Sequence, residues 1–137
     1  MRVNADLNVT TGNLHVGELS WGESITSVPA DIDVVLAADC VYFEPAFPLL
    51  VQTLCELAPV GKAMELLFCW KKRRKVSVIV QRVEGALSLT IILQADKRFF
   101  MMLKKHFDSE IVDDDKPGAR ETYQREGVTL LRLKRKK

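Results

Sequence analysis

The sequence predicts an α/β fold built around a parallel sheet, and three neighbouring stretches carry that prediction. From Asp31 to Ala38 the chain becomes a short, continuous apolar run, the pattern of a parallel strand buried on both faces, so this is the expected central strand. Phe47, Leu50, Leu54 and Leu57 then recur at helical spacing, with Pro45 and Pro48 where a helix begins and Pro59 and Gly61 where it stops, which predicts a helix over Pro45–Ala58. Ala63–Trp70 is a second compact apolar run and reads as the next buried strand. Strand, helix and strand at such short spacing require a right-handed crossover between parallel neighbours.

The flanking elements follow from their own patterns. Asn13–Leu19 alternates as a half-buried strand, with Leu14, Val16 and Leu19 on its apolar positions, and runs into a turn at Ser20-Trp21-Gly22-Glu23. Lys71-Lys72-Arg73-Arg74-Lys75 forms a basic loop after the second strand. Phe99, Leu103 and Phe107, with Phe100 beside them and lysines opposite, predict an amphipathic helix over Lys97–Phe107. Glu110-Ile111-Val112 reads as a short strand, and Asp113–Gly127 as polar connection with a Pro117-Gly118 turn. Val128–Leu133 closes the chain as a strand, and Lys134–Lys137 is expected to be a solvated tail.

The bulk properties describe one ordinary domain: 137 residues, 47% hydrophobic and 28% charged. A net charge of +2 gives no electrostatic argument for a specific nucleic-acid partner or a membrane surface. The basic run at 71–75 has too few interleaved aromatics to act as a stacking surface. The first residues lack the layout of a signal peptide and no apolar run is long enough to span a bilayer, so a cytoplasmic location is expected. Cys40, Cys55 and Cys69 are odd in number and widely spaced, which suits small buried apolar residues better than disulfides or zinc ligands. His15 and His106 are the only histidines, too few for a histidine-centred triad or metal cluster.

The run Val35-Leu36-Ala37-Ala38-Asp39-Cys40-Val41-Tyr42 resembles the signature of the seven-strand protein-lysine methyltransferases, which carry Asp-x-x-Tyr just after their fourth strand. Two further segments occur in the order that family uses: Glu18-Leu19-Ser20-Trp21-Gly22-Glu23 before the signature and Leu67-Phe68-Cys69-Trp70-Lys71-Lys72-Arg73-Arg74-Lys75 after it. The resemblance starts near Asn4 and reaches only the second half of the family fold. It implies an incomplete Rossmann-like methyltransferase fold, a mostly parallel sheet with an antiparallel C-terminal strand pair. The family's first half brings a glycine-rich turn to the cofactor and an acid to its ribose. Here the seven glycines are scattered and no Gly-x-Gly follows a buried strand. The chain is therefore expected to be one partial methyltransferase domain, weak in cofactor binding and inactive by itself, with exposed sheet edges suited to self-association.

By resemblance, the cofactor is S-adenosylmethionine. Trp21 would pack against the adenine, Ser20 would hydrogen-bond it where many relatives place Asp, and Ala38 would meet the cofactor through its backbone. Asp39 would orient the methionine amino group or the acceptor lysine, and Tyr42 would line the lysine channel. Read structurally instead, Trp21 plugs the core, Asp39 ends a strand and Tyr42 packs on the following helix. Within the family the likeness leans toward fungal enzymes that methylate a lysine of translation elongation factor one-alpha, which makes that factor the expected protein partner. The alternative is a non-catalytic interaction module derived from a methyltransferase.

Val76–Gln94 interrupts the family pattern between the basic run and Ala95-Asp96-Lys97-Arg98. Val76, Val78 and Val80 alternate, Glu84-Gly85 turns, and Leu87, Leu89, Ile91 and Leu93 alternate back, as in a hairpin. The competing reading is a translated intron, because Val-Ser and Gln are what common splice-boundary triplets encode. A dominant transcript joining Lys75 to Ala95 would establish the intron, and one that always keeps these codons would exclude it.

Overall fold

A computed structural model of the chain describes residues 14–26, 28–72, 96–112 and 119–137. The expected hairpin or intron at Val76–Gln94 lies outside the described residues, as do Arg73, Arg74 and Lys75 of the basic run. The elements are β1 (Val34–Ala38), a 3-10 turn (Glu44–Ala46) leading into α1 (Phe47–Leu57), β2 (Glu65–Lys71), α2 (96–106), β3 (Phe107–Ile111), α3 (Ala119–Glu126) and β4 (Val128–Arg135).

These make a mixed α/β structure on a four-stranded sheet of order β1-β2-β4-β3. The β1–β2 pair is parallel, in register from Val34 opposite Glu65 to Ala38 opposite Cys69, as the apolar runs and the intervening helix predict. β4 then inserts antiparallel between β2 and β3. The antiparallel C-terminal pair is therefore present, but the mostly parallel character is not: among the described residues one pairing is parallel and two are antiparallel. The reason is the place of β4. It runs antiparallel to both of its neighbours, β2 and β3, so its insertion between them makes two of the three pairings antiparallel.

One face of the sheet carries the core. Val35 and Ala37 of β1 line up beside Leu66 and Phe68 of β2 and Leu133 and Leu131 of β4, and both α1 and α2 pack on this face. Phe99 of α2 is fully buried, with its ring 5.3 Å from Phe47 and 5.5 Å from Phe68, so helix, helix and strand meet at three aromatic rings. The other face differs from the expectation for β1. Val34 and Leu36 are 49% and 75% exposed, and among the described residues β1 is an edge strand rather than a central one. The apolar run therefore marks both faces of β1 as apolar, while the Val34 and Leu36 side is left largely exposed.

Three further expectations are corrected. Residues 14–20 form no strand: Leu14 and Leu19 are exposed, and no ladder partner exists for them among the described residues. The polar stretch before Gly127 contains α3, which has no apolar stripe to reveal it; Gly127, with φ of +70°, ends it by donating its N–H to Gln124 O at 3.1 Å. The basic end is not a solvated tail. β4 runs to Arg135, whose guanidinium sits 5.2 Å from the Phe107 ring centroid and donates to His106 O at 3.0 Å, while Lys136 N–H donates to the same carbonyl at 2.9 Å. Arginine can bury its stem over an aromatic ring while its guanidinium reaches a backbone carbonyl, which a composition-based reading of a basic tail overlooks.

Candidate functional site

The candidate residues lie on two turns attached to β1 and α1. In an open α/β sheet a ligand site forms beyond the carboxyl ends of parallel strands, and Ala38 and Asp39 are at that end of β1, level with Cys69 of β2. Asp39 donates its backbone N–H to Cys69 O at 3.0 Å and then turns away from the strand with φ of +51°. It is the non-glycine residue in the left-handed region among those described, a conformation that costs an L-residue free energy and that asparagine and aspartate tolerate best. Strain of this kind at a strand end is typical of ligand sites. Ala38, exposed on the open side of β1, presents only a methyl group, and its carbonyl accepts a weak bond from Cys40 Sγ at 3.3 Å. Burial pushes the Cys40 thiol above its ordinary pKa, the nearby Asp39 charge adding to the rise, so Cys40 remains protonated at neutral pH.

The loop that follows is held at both ends. Val41 is buried in the core, Ala46 N–H donates to Phe43 O at 3.0 Å, and Glu44 pairs with Arg98 of α2. Between these anchors Tyr42 and Phe43 are displayed outward, Tyr42 at 63% exposure. Tyr42 is thus not buried beneath α1: the loop that carries it is anchored at both ends while most of its surface is accessible.

Trp21 and Gly22 form the second turn. Glu23 N–H donates to Ser20 O at 3.3 Å, Gly22 N–H to Thr53 Oγ1 at 2.8 Å, and Gln52 Nε2 to Gly22 O at 3.4 Å. Gly22 has φ of +83°, and a Cβ there would stand 2.6 Å from Leu49 Cδ2, so both conformation and space demand glycine. Trp21 is half-buried and packs at the margin of the same core cluster as Ala37, Val41 and Cys40, and Ser20 is half-buried beside it. Trp21, Cys40 and Val41 thus share one core cluster, with the Trp21-Gly22 turn docked on the middle of α1 at Gln52 and Thr53. Thr53 is the member that sequence reasoning missed. Its signal was a polar residue falling on the apolar stripe of Phe47, Leu50, Leu54 and Leu57.

A sequence profile of a lysine methyltransferase family matches residues 1–106, the span that contains both turns. The chain belongs to this lysine methyltransferase family. Saccharomyces cerevisiae protein-lysine N-methyltransferase EFM6 is 34% identical over 146 aligned residues, covering 99% of this chain and 50% of the yeast protein. Danio rerio protein N-lysine methyltransferase METTL21A is 38% identical across half of this chain and 33% of its own length. Mus musculus EEF1A lysine methyltransferase 3 is 47% identical over 55 residues, 39% of this chain and 24% of the mouse protein. The chain thus spans about half the length, or less, of these curated relatives. The Trp21-Gly22 turn, Ala38, Asp39 and Tyr42 all lie within the matched span.

The residues present suit one flank of an adenosyl ligand. Trp21 offers an aromatic face, Ala38 a small side chain beside open backbone, and Asp39 a carboxylate at a strand end.

Proposed function

We propose that this chain forms part of an S-adenosylmethionine-dependent protein-lysine methyltransferase of the cytoplasm whose substrate is translation elongation factor one-alpha. The observation that carries the reading is Asp39, an acid held in a left-handed conformation at the carboxyl end of β1, next to the small Ala38 and followed by the displayed Tyr42. Family membership supports the chemistry. The yeast relative is a protein-lysine methyltransferase and the mouse relative is by name an EEF1A lysine methyltransferase.

The acceptor lysine must be neutral to attack, although its ordinary pKa is about 10.4. Tyr42 lines the approach with its ring and removes water from the amine, and Asp39 orients either that amine or the amino group of the methionine part. S-adenosylmethionine, when bound, would supply an electrophilic methyl group to the neutral amine, with its sulfonium sulfur as the leaving group. Ser20 and Trp21 hold the adenine, and Ala38 lets the backbone of β1 come close. With no Gly-x-Gly after a buried strand in the sequence, these residues provide one side of the pocket, and the chain by itself binds the cofactor weakly.

Deleting the gene that encodes this chain and mapping lysine methylation on the host's elongation factor one-alpha by peptide mass spectrometry tests the reading. Loss of methylation at one lysine is expected, restored by the gene and not by its Asp39→Asn form. Unchanged methylation across the factor would contradict the substrate assignment.

A second reading rests on β1 itself. Its edge is uncharged, and Leu36 is exposed above it, whereas the opposite edge strand β3 carries Asp108 and Glu110. Uncharged edges pair with other chains and charged ones resist it. Self-association through β1 predicts that Leu36→Lys lowers the oligomeric mass in light scattering; an unchanged mass would exclude it.

A further inference from the structure

Thr53 is the buried polar residue of the described core, at 2% exposure. Its hydroxyl proton is committed to Leu49 O, one helical turn back, at 3.0 Å. Threonine in a helix commonly makes that bond, and it would by itself satisfy the side chain. Here the same oxygen also accepts the N–H of Gly22, thirty-one positions away in sequence, at 2.8 Å. Gln52, the preceding residue, reaches the carbonyl of Gly22 at 3.4 Å and is braced by Glu56 Oε1 at 3.0 Å. The backbone N–H and C=O of Gly22 therefore both end on adjacent residues of α1. The absent side chain of Gly22 allows the turn to lie against Leu49. A valine at position 53 would fill the same space and leave the Gly22 N–H without its acceptor.

We propose that Thr53 is a positioning residue for the cofactor: its hydroxyl docks the Trp21-Gly22 turn on α1 and thereby sets the plane of the Trp21 indole that receives the adenine. The inference rests on the reading of Trp21 given above. Thr53 acts through the turn and touches no reacting atom. Because α1 also begins directly after the Tyr42 loop, one helix references both turns, and a shift of the first relative to the second alters cofactor binding without altering the Asp39 end of β1.

Amide hydrogen exchange and ¹H–¹⁵N spectra of the 137-residue chain, with Thr53→Val and Thr53→Ser, test this. The two indole N–H signals are assigned by Trp21→Phe, and S-adenosylhomocysteine is titrated to millimolar concentration. In the unmodified chain the Gly22 amide is expected to be protected relative to Ser24. Thr53→Val should speed its exchange about fivefold and Thr53→Ser should leave it near the original rate. The Trp21 indole shift on adding S-adenosylhomocysteine should be retained in Thr53→Ser and diminished in Thr53→Val. An unprotected Gly22 amide in the unmodified chain overturns the proposal even if Thr53→Val does not fold. Equal Trp21 responses in the unmodified chain and Thr53→Val overturn it while leaving the adenine assignment of Trp21 intact. No Trp21 response in the unmodified chain overturns the assignment of Trp21, and the proposal with it.

Discussion

Asp39 and Cys69 meet where the two parallel strands end: the Asp39 N–H donates to the Cys69 carbonyl at 3.0 Å, and in the next step the chain leaves β1 through a left-handed φ of +51°. The last bond of the parallel ladder thus fixes the start of the Asp-x-x-Tyr loop, and the left-handed turn aims that loop away from the sheet.

A glycine adopts that φ without strain, whereas alanine does not. Asp39→Gly is expected to match or exceed the native stability, and Asp39→Ala to lose about 1 kcal/mol. Urea midpoints for the two variants check this. A lower midpoint for Asp39→Gly than for Asp39→Ala would mean that the side chain, not the backbone conformation, sets the local stability.

The ring cluster of Phe47, Phe68 and Phe99 joins α1, β2 and α2. Phe99→Ala is expected to destabilise the chain by about 3–5 kcal/mol, the usual range for emptying a fully buried aromatic site. Phe100→Ala, which removes a half-buried ring from the edge of the same helix, should cost less. Chemical denaturation of both variants gives the order.

The basic C-terminus supplies a contrast between neighbouring charges. Arg135 lies over Phe107 and bonds the His106 carbonyl, while Lys137 is exposed at the end of the chain. Arg135→Ala should lower stability by about 1–2 kcal/mol through lost packing and a lost hydrogen bond, and Lys137→Ala should be neutral. Equal effects would return this segment to the status of a solvated tail.

Cys40 and Cys55 contribute to the alkaline response. Burial is the largest cause raising each thiol above its ordinary value of 9.0, opposed at Cys55 by Arg135. The folded state therefore holds these protons more tightly than the unfolded chain. Their contribution to stability is complete below pH 9.0 and is lost as pH rises through the higher folded values. Cys40→Ala combined with Cys55→Ala should flatten the fall in denaturation midpoint above that pH. An unchanged slope would assign the alkaline loss to other groups.

Much of this architecture was legible in the chain because periodicity reports burial. The stripe of Phe47, Leu50, Leu54 and Leu57 became α1, and the run ending at Trp70 became β2 with its end one residue later. What periodicity does not report is the partner. Val34–Ala38 reads as a strand apolar on both faces, yet whether another strand lies beside Leu36 depends on residues far away in sequence, and β1 is an edge here. Leu14 and Val16 alternate, with Leu19 out of phase, and residues 14–20 form no strand, since alternation without a ladder leaves backbone groups unpaired. α3 was hidden for the opposite reason, being helical with no apolar stripe. At the site, Asp39, Tyr42 and Trp21 were marked by the order of their motifs, whereas the left-handed backbone of Asp39 and the bond from Gly22 to Thr53 exist only in three dimensions.

The central claim is that the turn at Trp21-Gly22 and the strand end at Ala38-Asp39 together form one flank of an S-adenosylmethionine site. Mapping backbone and indole chemical shifts of the chain during titration with S-adenosylhomocysteine tests it most directly. The account predicts weak binding, with shifts confined to the Trp21 indole and to the amides of Gly22, Ala38, Asp39 and Cys40. Shifts gathered instead at the cleft lined by Ile25, Pro29, Glu56 and Lys62, or none at millimolar ligand, would contradict it.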